Sequence, residues 1–244
     1  MFLESPPPDI ERLKPDDMFH FSCHSELSCF NACCRNKHLP LTPYDILRIK
    51  KNLAIHSDDF LAQYVVYRPD PASGFPILSI KMVGENAVCP FVTSKGCAVY
   101  HDRPTACRLY PLGRSSGIGQ KESKPEEFFS LLHIEHCHGL SENKSWTVFE
   151  WVNDQDLSPY IHMNDKMLDI LFHPRRNPST PLSESQQQKV MVAVFNLDIF
   201  REFVFETPFL NQFEVDDDTT QRIKDDDTAL LTLGFAFLKK ALYA

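Results

Sequence analysis

FSCHSELSCFNACCRNKHLPLTPYDILRIK, residues 21–50, changes character part-way along. Its first half carries Cys23, Cys29, Cys33 and Cys34, half of the chain's eight cysteines, and its second half reads as an amphipathic helix. Thr42 offers a capping hydroxyl, Pro43 stands at the first helical position and Asp45 lies three residues after the cap. These signals predict a helix from Pro43 to Leu53. Ile46, Leu47, Ile49 and Leu53 recur at helical spacing against Asp45, Arg48, Lys50 and Lys51, so one face covers a core.

The cysteine half calls for a different explanation. Cys29 and Cys33 are four residues apart, so on a helical turn their β-carbons lie about 5–6 Å apart and form a natural ligand pair. Cys34 turns away from Cys33 in either a helix or a strand. Adjacent cysteines therefore serve different partners: either a second metal or a larger cluster uses both thiolates, or one is a ligand and the other a packed thiol. A second group, Cys89, Cys97 and Cys107, lies in CPFVTSKGCAVYHDRPTACRLYPLG, residues 89–113, with Cys137 an outlier in HCHG. No single helix joins these three, so turns at Lys95-Gly96 and Arg103-Pro104 must fold the chain around a point. Four thiolates around one Zn²⁺ leave a formal charge of about minus two. Arg103 and Arg108 are placed to offset it through charge-assisted bonds to sulfur. Tyr100 and Tyr110 are read as packing beside the site; His24, His136 and His138 could replace a thiolate at one position, but a histidine in a polar loop is more often solvent-facing or hydrogen-bonded, and most are read as non-ligands.

The start of the chain, MFLESPPPDIERLKPDD, lacks the basic start, apolar run and small-residue cleavage site of a secretory signal. The expectation is a cytoplasmic protein, where thiols stay reduced and clustered cysteines point to metal rather than disulfides. Thiolate ligation suits zinc and iron-sulfur centres alike. The 244 residues carry a net charge of -8, which gives no field to attract a polyphosphate backbone, so nucleic acid is not expected as a partner. Ala229 to Leu238, the most apolar stretch, is about half the ~20 residues a spanning helix needs. It reads as a buried terminal helix, and no membrane partner is expected.

Elsewhere the fold is read as α+β and mostly helical, with a small β-hairpin region. Pro6-Pro7-Pro8 suggests an extended arm, and Ser57 is expected to cap a helix running to about Val66. Phe75 to Val83 reads as a strand that turns at Gly84-Glu85-Asn86 and returns over Ala87 to Val92. Pro104 favours a helical turn toward Cys107, and Trp146 to Phe172 one or two helices stopped by His173-Pro174. Ser183 caps a helix running on to Thr207-Pro208, and the acidic runs Asp216 to Asp218 and Asp225 to Asp227 are helix starts. The domains expected are a cysteine-cluster metal-binding domain over residues 1–178 and a helical extension over 179–244.

Together Cys29-x3-Cys33-Cys34, Leu41-Thr42-x-x-Asp45, Cys89-Pro90-Phe91, Cys97-x-x-Tyr100, Arg103-Pro104-x-x-Cys107-Arg108-x-Tyr110-Pro111, Cys137-x-Gly139, Gln155 and Tyr160 resemble the YkgJ-type cysteine-cluster family. The resemblance covers roughly Phe21 to Tyr160 and implies a zinc- or iron-chelating domain. Many members place two residues between the first cysteines, whereas the gaps here are five and three. Some relatives resemble flagellin lysine methylases, so a methylase-like activity is an alternative the resemblance carries. Two further function classes follow from the residues: a redox or electron-transfer protein, and a structural zinc module that offers its helical extension to a protein partner. The eight glycines form no glycine-rich phosphate or dinucleotide loop. No catalytic residue is identified.

Overall fold

The computed structural model describes residues 12–118, 125–134, 136–213 and 215–243; the proline arm around Pro6 to Pro8 lies outside them. The fold is α+β and mostly helical, with small antiparallel sheets. It divides into two compact units, each assembled from separate stretches: residues 1–40 with 82–159, and 41–81 with 160–244. Among the described residues no helix is long and apolar enough to cross a membrane.

The first unit contains all eight cysteines. Its sheets are small. Leu112–Ile118 pairs with Pro125–Leu131, whose other edge takes Arg12–Leu13, and Met18–His20 pairs with Ser145–Thr147. An aromatic group binds these pieces: the Phe21 ring stands edge-on to Tyr110 at 5.6 Å and to Trp151 at 5.4 Å, and Trp146 meets Trp151 at 5.3 Å. Edge-to-face pairs of this kind add to area burial. Both indole N–H groups are satisfied, Trp146 donating to the Phe21 carbonyl and Trp151 to the Leu109 carbonyl, each at 2.9 Å. The helix Val148–Asp154 starts at a Thr147–Glu150 capping box.

The second unit holds the helix expected from Pro43 to Leu53, with the Thr42–Asp45 capping box in place. Its charged positions depart from a simple amphipathic reading. Asp45 is fully buried by its capping role, and Lys50 is buried against the carboxylates of Asp198, at 2.9 Å, and Asp227, at 3.3 Å. The next helix, Ser57–Tyr64, is capped by His56 and stops short of the expected Val66. Val65–Pro69 is instead a strand, because it pairs antiparallel with Pro76–Ile80 along its whole length. That pairing also replaces the hairpin expected between 75–83 and 87–92, of which a single Val83–Val88 bridge remains.

The helix expected from Ser183 is interrupted. Glu184–Val190 is capped by Ser183, Met191–Phe195 widens into a π turn, and Leu197–Glu206 resumes after Asn196. A Cβ on Gly234 would overlap the Ala193 carbonyl oxygen, so the helix Asp227–Tyr243 passes close against the widened turn. Asp216 caps Asp217–Asp225, and the Asp226 carboxylate accepts from the Thr228 N–H, as helix-start carboxylates should.

Candidate metal centre

None of the eight cysteines forms a disulfide. The first group lies on successive turns, in which Phe30 N–H donates to the Leu27 carbonyl at 2.9 Å and Ala32 N–H to the Cys29 carbonyl at 2.9 Å. The α-turn imagined between Cys29 and Cys33 is broken by Asn31, which is left-handed at φ 66° and leads into the short 3₁₀ turn Ala32–Cys34. Asparagine tolerates that conformation, and its side chain is tied to the Thr93 carbonyl at 3.1 Å.

The second group is folded against the first by main-chain bonds. Cys89 N–H donates to the Cys34 carbonyl at 2.8 Å and Asn36 N–H to the Ala87 carbonyl at 2.8 Å. Val92 N–H reaches the Cys89 carbonyl at 3.2 Å, and the hairpin turn at Lys95-Gly96 sets Cys97 opposite Val92. Cys107 lies in the helix Thr105–Leu109 that follows Pro104, as the sequence predicts.

Cys137, distant from every other cysteine in the sequence, is brought in by its neighbours. His138 N–H donates to the Cys29 sulfur at 3.3 Å, the His138 ring shares a 2.8 Å hydrogen bond with the Ser28 hydroxyl, and Ser22 N–H donates to the Gly139 carbonyl at 3.0 Å. Gly139 permits this approach, since a Cβ there would meet the Ser22 carbonyl at 2.6 Å. Ser28 was not singled out from the sequence; a lone serine has no spacing signal that could have marked it.

The sulfurs perturb one another. Cys23 is exposed, yet desolvation of its thiol, followed by the charges of Cys33, Cys29 and Cys137, raises its pKa to about 11. Cys33 falls to about 7, chiefly because the Cys34 thiol hydrogen-bonds to it; desolvation opposes the shift, and its own N–H and Lys37 assist it. The same bond pushes Cys34 upward. Burial raises Cys89 and Cys97. A thiol bound to a cation loses its proton, so a metal ion relieves this mutual repulsion.

Two buried arginines frame the second group. Arg103 donates to the Tyr100 carbonyl at 2.6 Å and to the Gln155 side-chain oxygen; Arg108 donates to the Gln155 carbonyl at 2.5 Å and to the His101 carbonyl. The Arg103 guanidinium also lies over the exposed Tyr100 ring at 4.0 Å, and its charge reaches Cys107 and Cys97. The Tyr110 hydroxyl is buried without a well-formed hydrogen bond, and the Cys137 sulfur is the group beside it; burial first, then Cys137, raise its pKa. Among the histidines, His24 lies between Glu26 and Glu142, and His136 is exposed.

Among the described residues no three His, Cys, Asp or Glu side chains are already set as a coordination sphere. The donor chemistry nonetheless fits a thiophilic ion: eight free thiols share one unit, and those whose pKa values shift do so partly through their sulfur neighbours. Cysteine sulfurs move between staggered rotamers without main-chain change.

The CxxCxxCC family model, described as a "putative zinc- or iron-chelating domain", matches residues 22–144, a span that includes every cysteine. The chain belongs to this family. That agrees with the resemblance carried by the motifs around Cys33-Cys34 and Cys107-Arg108. No curated protein and no solved structure matches the chain. In family terms the cofactor is zinc or iron.

Proposed function

We propose that this CxxCxxCC protein chelates zinc or an iron-sulfur centre through the thiolates of Cys23, Cys29, Cys33, Cys34, Cys89, Cys97, Cys107 and Cys137, and that the bound ion orders the first unit. One observation carries the reading: all eight thiols are free and fall in that unit, on turns, two-residue strands and one short helix. Such segments bury too little apolar surface to hold themselves, and a structural ion contributes its binding free energy directly to folding. When bound, the ion supplies the positive charge that lets neighbouring thiolates coexist; an iron-sulfur centre adds one-electron transfer.

The chain's own groups offset the negative charge of the thiolates. Arg103, held by Tyr100 and Gln155, places a fixed cation beside Cys97 and Cys107. His138 N–H already donates to the Cys29 sulfur, a bond that strengthens when the sulfur is a thiolate. Tyr110 is positioned to act on Cys137 in the same way.

Anaerobic purification with elemental analysis and a visible spectrum tests the proposal. A brown chain containing iron and sulfide selects the cluster and the electron-transfer role. A colourless chain with zinc selects the structural module. A folded chain that retains neither metal, and takes up neither on reconstitution, overturns it.

A further inference from the structure

Resting on that metal reading, we propose that the eight cysteines form two thiolate centres rather than one: Cys23, Cys29, Cys33 and Cys137 at the first, and Cys34, Cys89, Cys97 and Cys107 at the second. Hydrogen bonds tie the Cys137 loop to the Cys29 side and Cys89 and Cys97 to Cys34, and Cys23, Cys33 and Cys107 are assigned by the sulfurs nearest them. The loop carrying Cys137 is fastened to residues 22–29 by three bonds, from His138 N–H to the Cys29 sulfur, from Ser22 N–H to the Gly139 carbonyl, and between His138 and Ser28. A separate set of bonds lays residues 34–36 along 87–89 and closes the turn to Cys97.

The electrostatic neighbours sort the same way. Cys23 is influenced by Cys33, Cys29 and Cys137, and Tyr110 by the same three sulfurs. Cys34 is influenced by Cys107 and Cys89 in addition to Cys33, and Cys89 by Cys97. Cys33 also acts on Cys89 and Cys97, which places it at the join between the two sets. The Cys33 and Cys34 sulfurs lie side by side at that join, hydrogen-bonded to each other, and each is assigned to a different ion.

Charge supports the count. Two tetrathiolate zinc sites carry about minus two each, and the chain sets one cation near each set: Lys37 acts on Cys33, and Arg103 on Cys97 and Cys107. A single ion with four ligands would leave the other four thiols of the same unit without a metal to bind.

Cadmium-113 exchanged into the full-length chain gives the readout, because each distinct thiolate site yields its own magnetic resonance. Two signals are expected. Cys137→Ser should remove or shift one and keep the other, and Cys107→Ser should do the converse. One signal, or the loss of both from either variant, overturns the division while leaving metal binding intact. No signal at all removes the metal reading on which it rests. Zinc counting on the unmutated, zinc-loaded chain needs no variant to fold: two ions per chain are expected, and one overturns the division.

Discussion

Gly139 approaches Ser22 so closely that a Cβ at position 139 would stand 2.6 Å from the Ser22 carbonyl oxygen and 2.8 Å from the Phe21 ring. The carbonyl is main chain and the ring is locked against Tyr110 and Trp151, so neither gives way cheaply. Gly139→Ala is expected to destabilise the first unit by about 1–3 kcal/mol, the usual range for overpacking. It should also loosen Cys137 from Cys29. Both tryptophans, Trp146 and Trp151, belong to this unit, so a denaturation curve followed by tryptophan emission reads it directly. An unchanged midpoint counts against this account.

Metal removal should be read in the same signal. A strong chelator at neutral pH is expected to alter tryptophan emission, because ion and folding are linked in the unit that holds the cysteines. Helical content from 41–81 and 160–244 should largely persist in far-ultraviolet circular dichroism. Loss of both signals in one transition contradicts that expectation.

Lys50 is a buried cation whose partners, Asp198 and Asp227, lie far along the chain. Lys50→Met leaves those carboxylates without their shared cation, which for a buried pair costs roughly 3–5 kcal/mol. Asp198 keeps the Ser57 N–H at 2.7 Å and Asp227 keeps Arg201, so the lower end is expected. Pairing Lys50→Met with Asp198→Asn should restore part of the loss in urea denaturation; an additive double variant would rule the coupling out.

Asp198 also sets a pH dependence. Burial pushes its pKa up, but hydrogen bonds from Lys50 and Ser57 and the Lys50 charge outweigh that and leave it lowered. A carboxylate depressed in the folded state contributes stability above its unfolded pKa, ordinarily ~3.9, and loses it as pH falls through the folded value. The contribution is therefore present at neutral pH and disappears in acid. Asp198→Asn should flatten the decline in stability below about pH 4; a decline as steep as before would show that other carboxylates govern it.

Gly234 offers a contest of magnitudes. Alanine is favoured over glycine in a helix by about 1 kcal/mol, yet its methyl group would overlap the Ala193 carbonyl. A main-chain oxygen cannot swing aside, so Gly234→Ala is expected to lower the thermal midpoint. A raised midpoint would mean that the widened turn accommodates the methyl.

What could be read without coordinates was local. The Thr42, Ser183 and Asp216 caps, the Lys95-Gly96 turn and the apolar terminal helix each depend on residues within a few positions of one another. The family could be read for a similar reason, since its motifs are short. Long-range choices were hidden. Val65 and Val66 became strand because Ile80 and Ser79 lie opposite them, and nothing near Lys50 announces Asp198. The hairpin between 112–118 and 125–131 went unnoticed, its first strand being Gly- and Ser-rich where β-branched residues usually give the signal. At the cysteine site, spacing marked the two groups, but only the fold shows how Gly139 and His138 bring Cys137 to Cys29.

The interleaving of the two units has a consequence for biosynthesis. Residues 41–81 leave the ribosome with Ile46, Leu47, Ile49 and Phe60 lacking the later half of their core, which begins only at 160. Throughout the intervening translation the nascent chain carries unburied apolar surface of the kind that chaperones recognise. The thiol-bearing unit is complete at residue 159, so the stretch that carries every cysteine can fold before the rest condenses.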